Sequence, residues 1–222
     1  MGKDKLKRFE EIKTFSNVLE APAMETYSKK GKWHQDIFKN KNPIVLELGC
    51  GKGEYSVGLA RMYPNKNFVG VDIKGNRIYI GAKESLNEGL KNVMFLRTRI
   101  DFIDNFFDSD EIDEIWLTFS DPQPKKPRKR LSSKPFIDRY KKFLKKEGKI
   151  HVKTDSDLLF EFTEEEIQNE KYDCHTLTWD LYGEKYFGQL SEEEKKTFEI
   201  RTHYEKLFSS KGSVIKYCCF SV

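Results

Sequence analysis

The stretch NPIVLELGCGKG, residues 42–53, decides the fold. An apolar run from Ile44 to Leu48 ends in glycines at alternate positions, Gly49, Gly51 and Gly53. A run of that length closed by glycines reads as a buried strand entering a tight loop. The segment EYSVGLARMY, residues 54–63, continues with a helical pattern and is stopped by Pro64. Strand, glycine loop and helix in that order bring main-chain N–H groups close to a ligand, because glycine tolerates positive φ. The spacing is G-x-G-x-G, not the G-x-G-x-x-G of dinucleotide sites. Glu47 stands two residues before the first glycine, and the next apolar run, NFVGVDI, carries Asp72 19 residues after Gly53. An acid at about that spacing, ending a second strand, suits hydrogen bonds to ribose hydroxyls. The bland alternative is a glycine turn in an ordinary α/β protein that binds nothing.

Outward from this unit, candidate strands at 44–48, 68–73, 93–98, 114–120, 149–154, 173–180 and 214–221 are interleaved with candidate helices at 54–62, 76–89, 101–107, 133–146, 156–168 and 191–208. Such alternation implies a mainly parallel, doubly wound, Rossmann-like α/β sheet. Ligands of open α/β sheets bind beyond the carboxyl ends of the strands. The unusual residues fall there: Glu47 and the glycines, Asp72, Thr98 with Arg99, Ser120 with Asp121, and Thr154 with Asp155. Their convergence points to one site. Ahead of the first strand, KLKRFEEIK predicts a short helix, and residues 21–40 read as irregular, basic and aromatic. Lys29, Lys30, Lys32 and Trp33 there belong either to a solvated arm with an anchored aromatic or to a contact with nucleic acid. The expected division is an N-terminal basic arm over 1–42 and one α/β domain over 43–222.

Charged residues make up 34% of the 222, and mean hydropathy is −0.71, which fits a soluble protein. No apolar run approaches the roughly 20 residues of a membrane helix. The N-terminus lacks an apolar signal core, and Leu6 stands where a myristoylation signal needs Ser or Thr. Four cysteines without C-x-x-C spacing read as reduced, so the expected location is the cytoplasm. His34, His151, His175 and His203 lack metal-ligand spacing, so no metal is expected, and His151 lies inside a buried-looking strand. Phe143, Phe160 and Phe162 read as core. Net charge is only +4, but KKPRKR at 125–130 holds five positive charges and EFTEEEIQNE at 161–170 is acidic. Such polarity suits an anionic partner. KKPRKR reads as a contact to RNA phosphates, with a nuclear-localisation patch or a solvated charge run as the other possibilities.

The pattern E-x-G-x-G-x-G followed by Asp72 resembles the class I S-adenosylmethionine (SAM) methyltransferases. The resemblance implies SAM as cofactor and seven strands with the last inserted antiparallel. At the end of the fourth strand, Asp121-Pro122-Gln123-Pro124-Lys125-Lys126 looks like the bacterial tRNA (guanine-N7-)-methyltransferase family, and Lys153-Thr154-Asp155 and Arg201-Thr202-His203-Tyr204-Glu205 fit it too. The likeness spans roughly residues 30–222. It implies methylation at N7 of a guanosine in the variable loop of tRNA, by a monomer or homodimer with no membrane partner. The donor would be held by Glu47, Gly49, Gly51, Gly53, Asp72, Thr98, Arg99 and Asp121. Asp121 would also sit at the reaction centre. Lys125, Asp155, Thr202, His203, Tyr204 and Glu205 would bind the guanosine and its surroundings, and Lys126, Arg128, Lys129 and Arg130 the RNA backbone. Locally, Asp121 also reads as a turn-forming Asp-Pro, and Asp155 as a helix N-cap.

Three departures stand out. Ser120 replaces a frequent Pro, Gln123 a frequent Trp, and Arg99 the acid that commonly contacts adenine, for which a backbone group or Asp101 is the substitute. A methyltransferase for an exocyclic amino group would carry an aromatic after Asp-Pro-Pro, which this chain lacks. A SAM-responsive RNA-binding module without turnover would have little use for acids at every strand end.

Overall fold

The computed structural model describes residues 3–222. Helix α1 (Lys3–Ile12) and the short strand β1 (Val18–Glu20) come first, then a wide helical turn over Trp33–Phe38. The glycine unit follows as β2 (Ile44–Leu48) and α2 (Glu54–Met62). Next come β3 (Asn67–Asp72), α3 (Gly75–Asn87), β4 (Val93–Arg97), β5 (Ile112–Thr118), α4 (Lys134–Tyr140), β6 (Leu144–Thr154), α5 (Asp157–Asn169) and β7 (Asp173–Thr178). Three short helices, α6 (Glu184–Phe187), α7 (Glu192–Glu199) and α8 (His203–Ser209), lead to β8 (Lys216–Ser221). All strands join one sheet in the order β1-β4-β3-β2-β5-β6-β8-β7. β8 runs antiparallel between β6 and β7, and the other pairings are parallel. Among the described residues no helix is long and apolar enough to cross a membrane.

The inserted antiparallel strand is as expected, but the sheet has eight strands, not seven. The addition is β1, paired with β4 from Val18↔Phe95 to Glu20↔Arg97. Three residues are too few to show a period of two, so sequence pattern is blind to it. The expected helix 191–208 is broken, because Ile200 leaves helical geometry (ψ 103°) and packs where a Cβ on Gly58 would lie 2.6 Å from it. The expected helix 133–146 ends at Tyr140 because the chain must enter β6 at Leu144, which pairs with Ile112. The stretch 101–107 forms only a short 3₁₀ segment, Ile100–Asn105.

Alternation along the strands divides the core into two layers. Leu46, Leu48, Val69, Val71, Leu117 and Val152 face α4 and α5, while Val45, Phe68, Phe95 and Trp116 face α2, α3 and α7. Phe95 governs the second layer. Its ring lies where a Cβ at Gly53 would approach to 2.4 Å, at Gly70 to 2.9 Å and at Gly81 to 3.0 Å. Three glycines thus allow the glycine loop, β3 and α3 to close on one aromatic ring.

The segment before β2 is tied to the first layer. Trp33 is fully buried, donates from Nε1 to the Phe106 carbonyl at 2.8 Å and stacks on Phe107 at 4.7 Å. The Glu111 carboxylate accepts from the Gly31, Trp33 and Asp108 N–H groups. Lys29 pairs with Asp36, and Lys30 donates to the Asp104 carbonyl. Trp33 is therefore a core anchor. Trp33→Ala is expected to cost about 3–5 kcal/mol in urea unfolding, the usual loss for a buried aromatic. A loss below about 1 kcal/mol would mean that this segment is not part of the folded core.

Candidate active site

The carboxyl ends of β2, β3, β5 and β6 open into a cavity of about 630 Å³. Beside it, towards β4, lies a recess of about 420 Å³ that shares Gly49 and Asp72 with it. Gly49, Gly51 and Gly53 have φ of 84°, 55° and 74°, the left-handed region that a side chain would strain. The Gly49 and Cys50 N–H groups donate to the Val71 carbonyl, which fastens the loop to β3.

Glu47 lines the cavity but is itself 3% exposed. Its carboxylate accepts from the Ser56 N–H at 2.9 Å, the Ser56 hydroxyl and the Thr118 hydroxyl. It thereby joins β2, the first turn of α2 and the end of β5. Burial pushes its carboxyl up to about 7, against the hydrogen bonds from Ser56 and Thr118. Asp72 accepts from the Gly51 N–H at 3.0 Å on one oxygen and the Lys74 N–H at 2.8 Å on the other. A carboxylate oxygen has two acceptor positions, so both remain able to take a ribose hydroxyl.

In the recess, the Thr98 hydroxyl is buried without a hydrogen-bond partner. Arg99 is largely exposed and pairs with Asp101 at 3.3 Å. Asp101 also receives the Lys129 ammonium at 2.9 Å, and these partners, Lys129 foremost, hold its carboxyl below the usual range. The expected alternative to an acid at position 99 is thus present as Asp101 in the same recess. A glycine loop with left-handed φ, a two-faced Asp72 and an unsatisfied hydroxyl at the far end fit a nucleoside-bearing donor.

β5 delivers the loop at the cavity mouth. Phe119 and Gln123, neither a glycine, have φ of 50° and 43°, and they flank Asp121. Left-handed backbone at such residues costs on the order of 1–3 kcal/mol and collects at functional sites. Asp121 is exposed and lines the cavity, and one of its oxygens accepts from the Gln123 N–H at 2.9 Å. The turn-forming and cavity-facing readings of Asp121 therefore hold together. Asp155 lines the cavity half-buried, and burial pushes its carboxyl up. The N-cap of α5 is Ser156, which accepts from the Leu159 N–H, so Asp155 is left for the cavity.

Several other expected site residues sit differently. Lys125, Lys126 and Arg128 are exposed. Lys129 is engaged by Asp101. Arg130 is not a surface cation: it is 4% exposed, donates to the Pro122 carbonyl at 2.8 Å and covers the Phe162 ring at 4.5 Å. Its neighbourhood on Pro122 turns it inward, away from an RNA backbone.

Thr202 caps α8 by accepting from the Glu205 N–H, and Thr202 and Tyr204 line the cavity. His203 lies outside the lining, its N–H on Glu54 and its ring edge-on to Tyr204. Glu205 is fully buried and cannot meet a substrate directly, because the cap that begins at Thr202 points it inward. It pairs with Lys153 at 3.0 Å and accepts from the Tyr182 hydroxyl. Lys153 is likewise fully buried, and burial pushes its ammonium down to about 8 despite Glu205. It also donates to the Phe198 carbonyl at 2.9 Å.

Sequence reading did not find Ser56 and Thr118, the partners of Glu47, nor the Lys153–Glu205 pair. Both arrangements join residues far apart in the chain and leave no local pattern. His151 is structural, as expected: it stacks on Trp116 at 4.1 Å, its Nδ1 lies 2.8 Å from the Tyr217 hydroxyl, and burial pushes its imidazole down to about 4. Among the described residues no group of three or more His, Cys, Asp or Glu side chains is placed to hold a metal.

A protein-family model described as "Putative methyltransferase" matches residues 41–218. A tRNA (guanine-N(7)-)-methyltransferase of Bacteroides thetaiotaomicron is 49% identical, over 99% of this chain and 86% of the relative. One of Christiangramia forsetii is 43% identical, over 100% and 99%. The chain belongs to the tRNA (guanine-N(7)-)-methyltransferase family. Its fold and enzyme class are those of a SAM-dependent methyltransferase. Among solved structures, the 16S rRNA methyltransferase KamB superposes with a TM-score of 0.63 at 15% identity, covering 90% of this chain and 95% of that one. A SAM-dependent methyltransferase from Aquifex aeolicus gives 0.55 at 14%, covering 95% and 96%. These two likenesses bear on the fold alone.

Two measurements probe the site's supports. Glu47 holds its proton more tightly when folded than the ordinary carboxyl near 4.5, so its contribution to stability is full below about 4.5 and is lost as pH rises through about 7. The loss amounts to about 3 kcal/mol at most. Glu47→Gln is expected to flatten that decline in urea unfolding between pH 5 and pH 8; an unchanged slope would contradict the burial argument. Lys153→Met is expected to lose about 3–5 kcal/mol by leaving Glu205 buried and unpaired. Lys153→Met with Glu205→Met should lose clearly less, and a loss as large as the sum of the singles would show that the two do not act as a pair.

Proposed function

We propose that this protein transfers a methyl group from SAM to N7 of a guanosine in the variable loop of tRNA. The observation that carries the reading is the arrangement around one cavity: the glycine loop and Asp72 on one side, and Asp121, Asp155, Thr202 and Tyr204 on the other. The bound donor supplies an electrophilic methyl group on a sulfonium. Guanine N7 already carries a lone pair, so the protein need not supply a strong base. Its residues have to align N7 with the methyl group, and alignment contributes roughly 7–11 kcal/mol in favourable cases.

Each role follows from position. The glycine loop and Asp72 hold the donor's amino-acid and ribose parts, with Glu47 fixing the loop. Thr98 and Asp101, with Arg99 at the rim, hold the adenine end. Asp121 stands at the mouth and stabilises the positive charge that guanine gains on methylation. Asp155 and Asp121 accept from guanine N1–H and N2–H, a pattern adenine cannot match. Tyr204 and Thr202 form the acceptor wall, and Lys125, Lys126 and Arg128 meet RNA phosphates. A loop substrate suits this mouth, because the base must leave its stack. The enzyme works in the cytoplasm as a monomer or homodimer, with residues 43–222 as its catalytic domain and 1–42 as a basic arm.

The test is mass spectrometry of nucleosides from bulk tRNA treated with labelled SAM. The expected product is 7-methylguanosine; a methyl group on another base or position overturns the reading, as does no product. Asp121→Ala is expected to lower kcat/KM by about 10²–10³-fold with the far-UV circular dichroism retained. Near-normal turnover in that variant would remove Asp121 from the reaction centre.

A further inference from the structure

The basic run of the sequence is smaller in three dimensions than on paper. Lys129 and Arg130 have partners within the protein, which leaves Lys125, Lys126 and Arg128. Yet the cavity has a second set of cations that no run announces. Lys52, inside the glycine loop, and Lys74 and Arg77, at the start of α3, line it on the β2 and β3 side. Among the described residues none of the three has a carboxylate within salt-bridge distance, although most cations near α2, α3 and β4 do, such as Arg61, Lys66, Lys83 and Arg97. The start of α3 carries no acidic residue and no side-chain cap, so Lys74 and Arg77 face the positive helix end uncompensated. Cations placed there are unfavourable without an anion from outside. Arg77 is also held over the Tyr204 ring at 5.7 Å, and Tyr204 stacks on Phe208 at 6.2 Å with 19° between the ring planes. An arginine over an exposed aromatic at the mouth of a reaction cavity is a surface suited to a nucleotide, with base on ring and phosphate on guanidinium.

We propose that Lys52, Lys74 and Arg77 form a second phosphate-binding wall, so that the RNA strand carrying the target base runs between this wall and Lys125, Lys126 and Arg128, with Tyr204 stacking on a base between them. The inference rests on the reading that the substrate is tRNA. It differs from a single basic patch in requiring cations on both sides of Asp121. Each phosphate contact contributes about 0.7 to the salt slope for single strands and about 0.9 for duplex. At 0.1 M salt that corresponds to about 5- to 8-fold in affinity per contact.

The experiment is fluorescence anisotropy of a labelled tRNA transcript across a salt series, with S-adenosylhomocysteine saturating. Lys52→Ala/Lys74→Ala/Arg77→Ala is expected to lower the slope by about 2 and to weaken binding at 0.1 M salt by at least about 25-fold. Arg77→Lys should retain the wild-type slope, since it keeps the charge. Lys125→Ala/Lys126→Ala/Arg128→Ala provides the comparison wall. An unchanged slope in the first triple variant alongside a reduced one in the second overturns the two-wall arrangement and leaves the assigned function standing. A fall in S-adenosylhomocysteine affinity by calorimetry that matches the fall in tRNA affinity also overturns it, by assigning the cations to the donor. Failure of the wild-type protein to bind tRNA at all overturns the assigned function, and this inference with it.

Discussion

A single aromatic ring sets the geometry of the donor side. Phe95 fills the volume that side chains on Gly53, Gly70 and Gly81 would need. Interiors are packed to near crystal density, so a ring of this size fixes what surrounds it. Here it fixes how close the glycine loop, β3 and α3 come to one another. The loop's left-handed residues then have no alternative course, and Asp72 meets Gly51 N–H as a consequence. Glu47 completes the frame from the other layer through Ser56 and Thr118. The donor cleft is therefore an outcome of core packing, not of the loop sequence acting alone.

Much of this was visible in the chain. The strand–glycine–helix unit, the acids at successive strand ends and the parallel order follow from periodicity and glycine placement, because those signals are local. What escaped was non-local. β1 is held by main-chain pairing to β4 and is too short to show a pattern. The break between α7 and α8 depends on Ile200 meeting Gly58 across the fold. Residues 133–146 have a helical look that yields at its end to strand pairing with Ile112.

The site shows the same division. Gly49, Gly51, Gly53, Asp72, Asp121 and Asp155 were legible because a strand end announces its own position. Glu205 and Arg130 were legible as charged residues near the right segments, but charge says nothing of direction. The helix cap on Thr202 points one inward, and stacking on Phe162 buries the other. Conversely, Lys52, Lys74 and Arg77 are unremarkable singly in sequence and become a group only when α3 starts beside the glycine loop.

The buried pairing of Lys153 with Glu205 has a mechanical meaning. Peeling the last helices from the sheet would strand two opposite charges in a dry interior, along with the hydroxyl of Tyr182. Such a rupture is so unfavourable that the Tyr204 side of the mouth behaves as a fixed jaw. Adjustment to an incoming strand then falls to the opposite lip, between Phe119 and Gln123, where the polypeptide is already wound into a conformation it would readily leave. The enzyme is built like a vice with one stationary plate, and the moving plate is the one that carries Asp121.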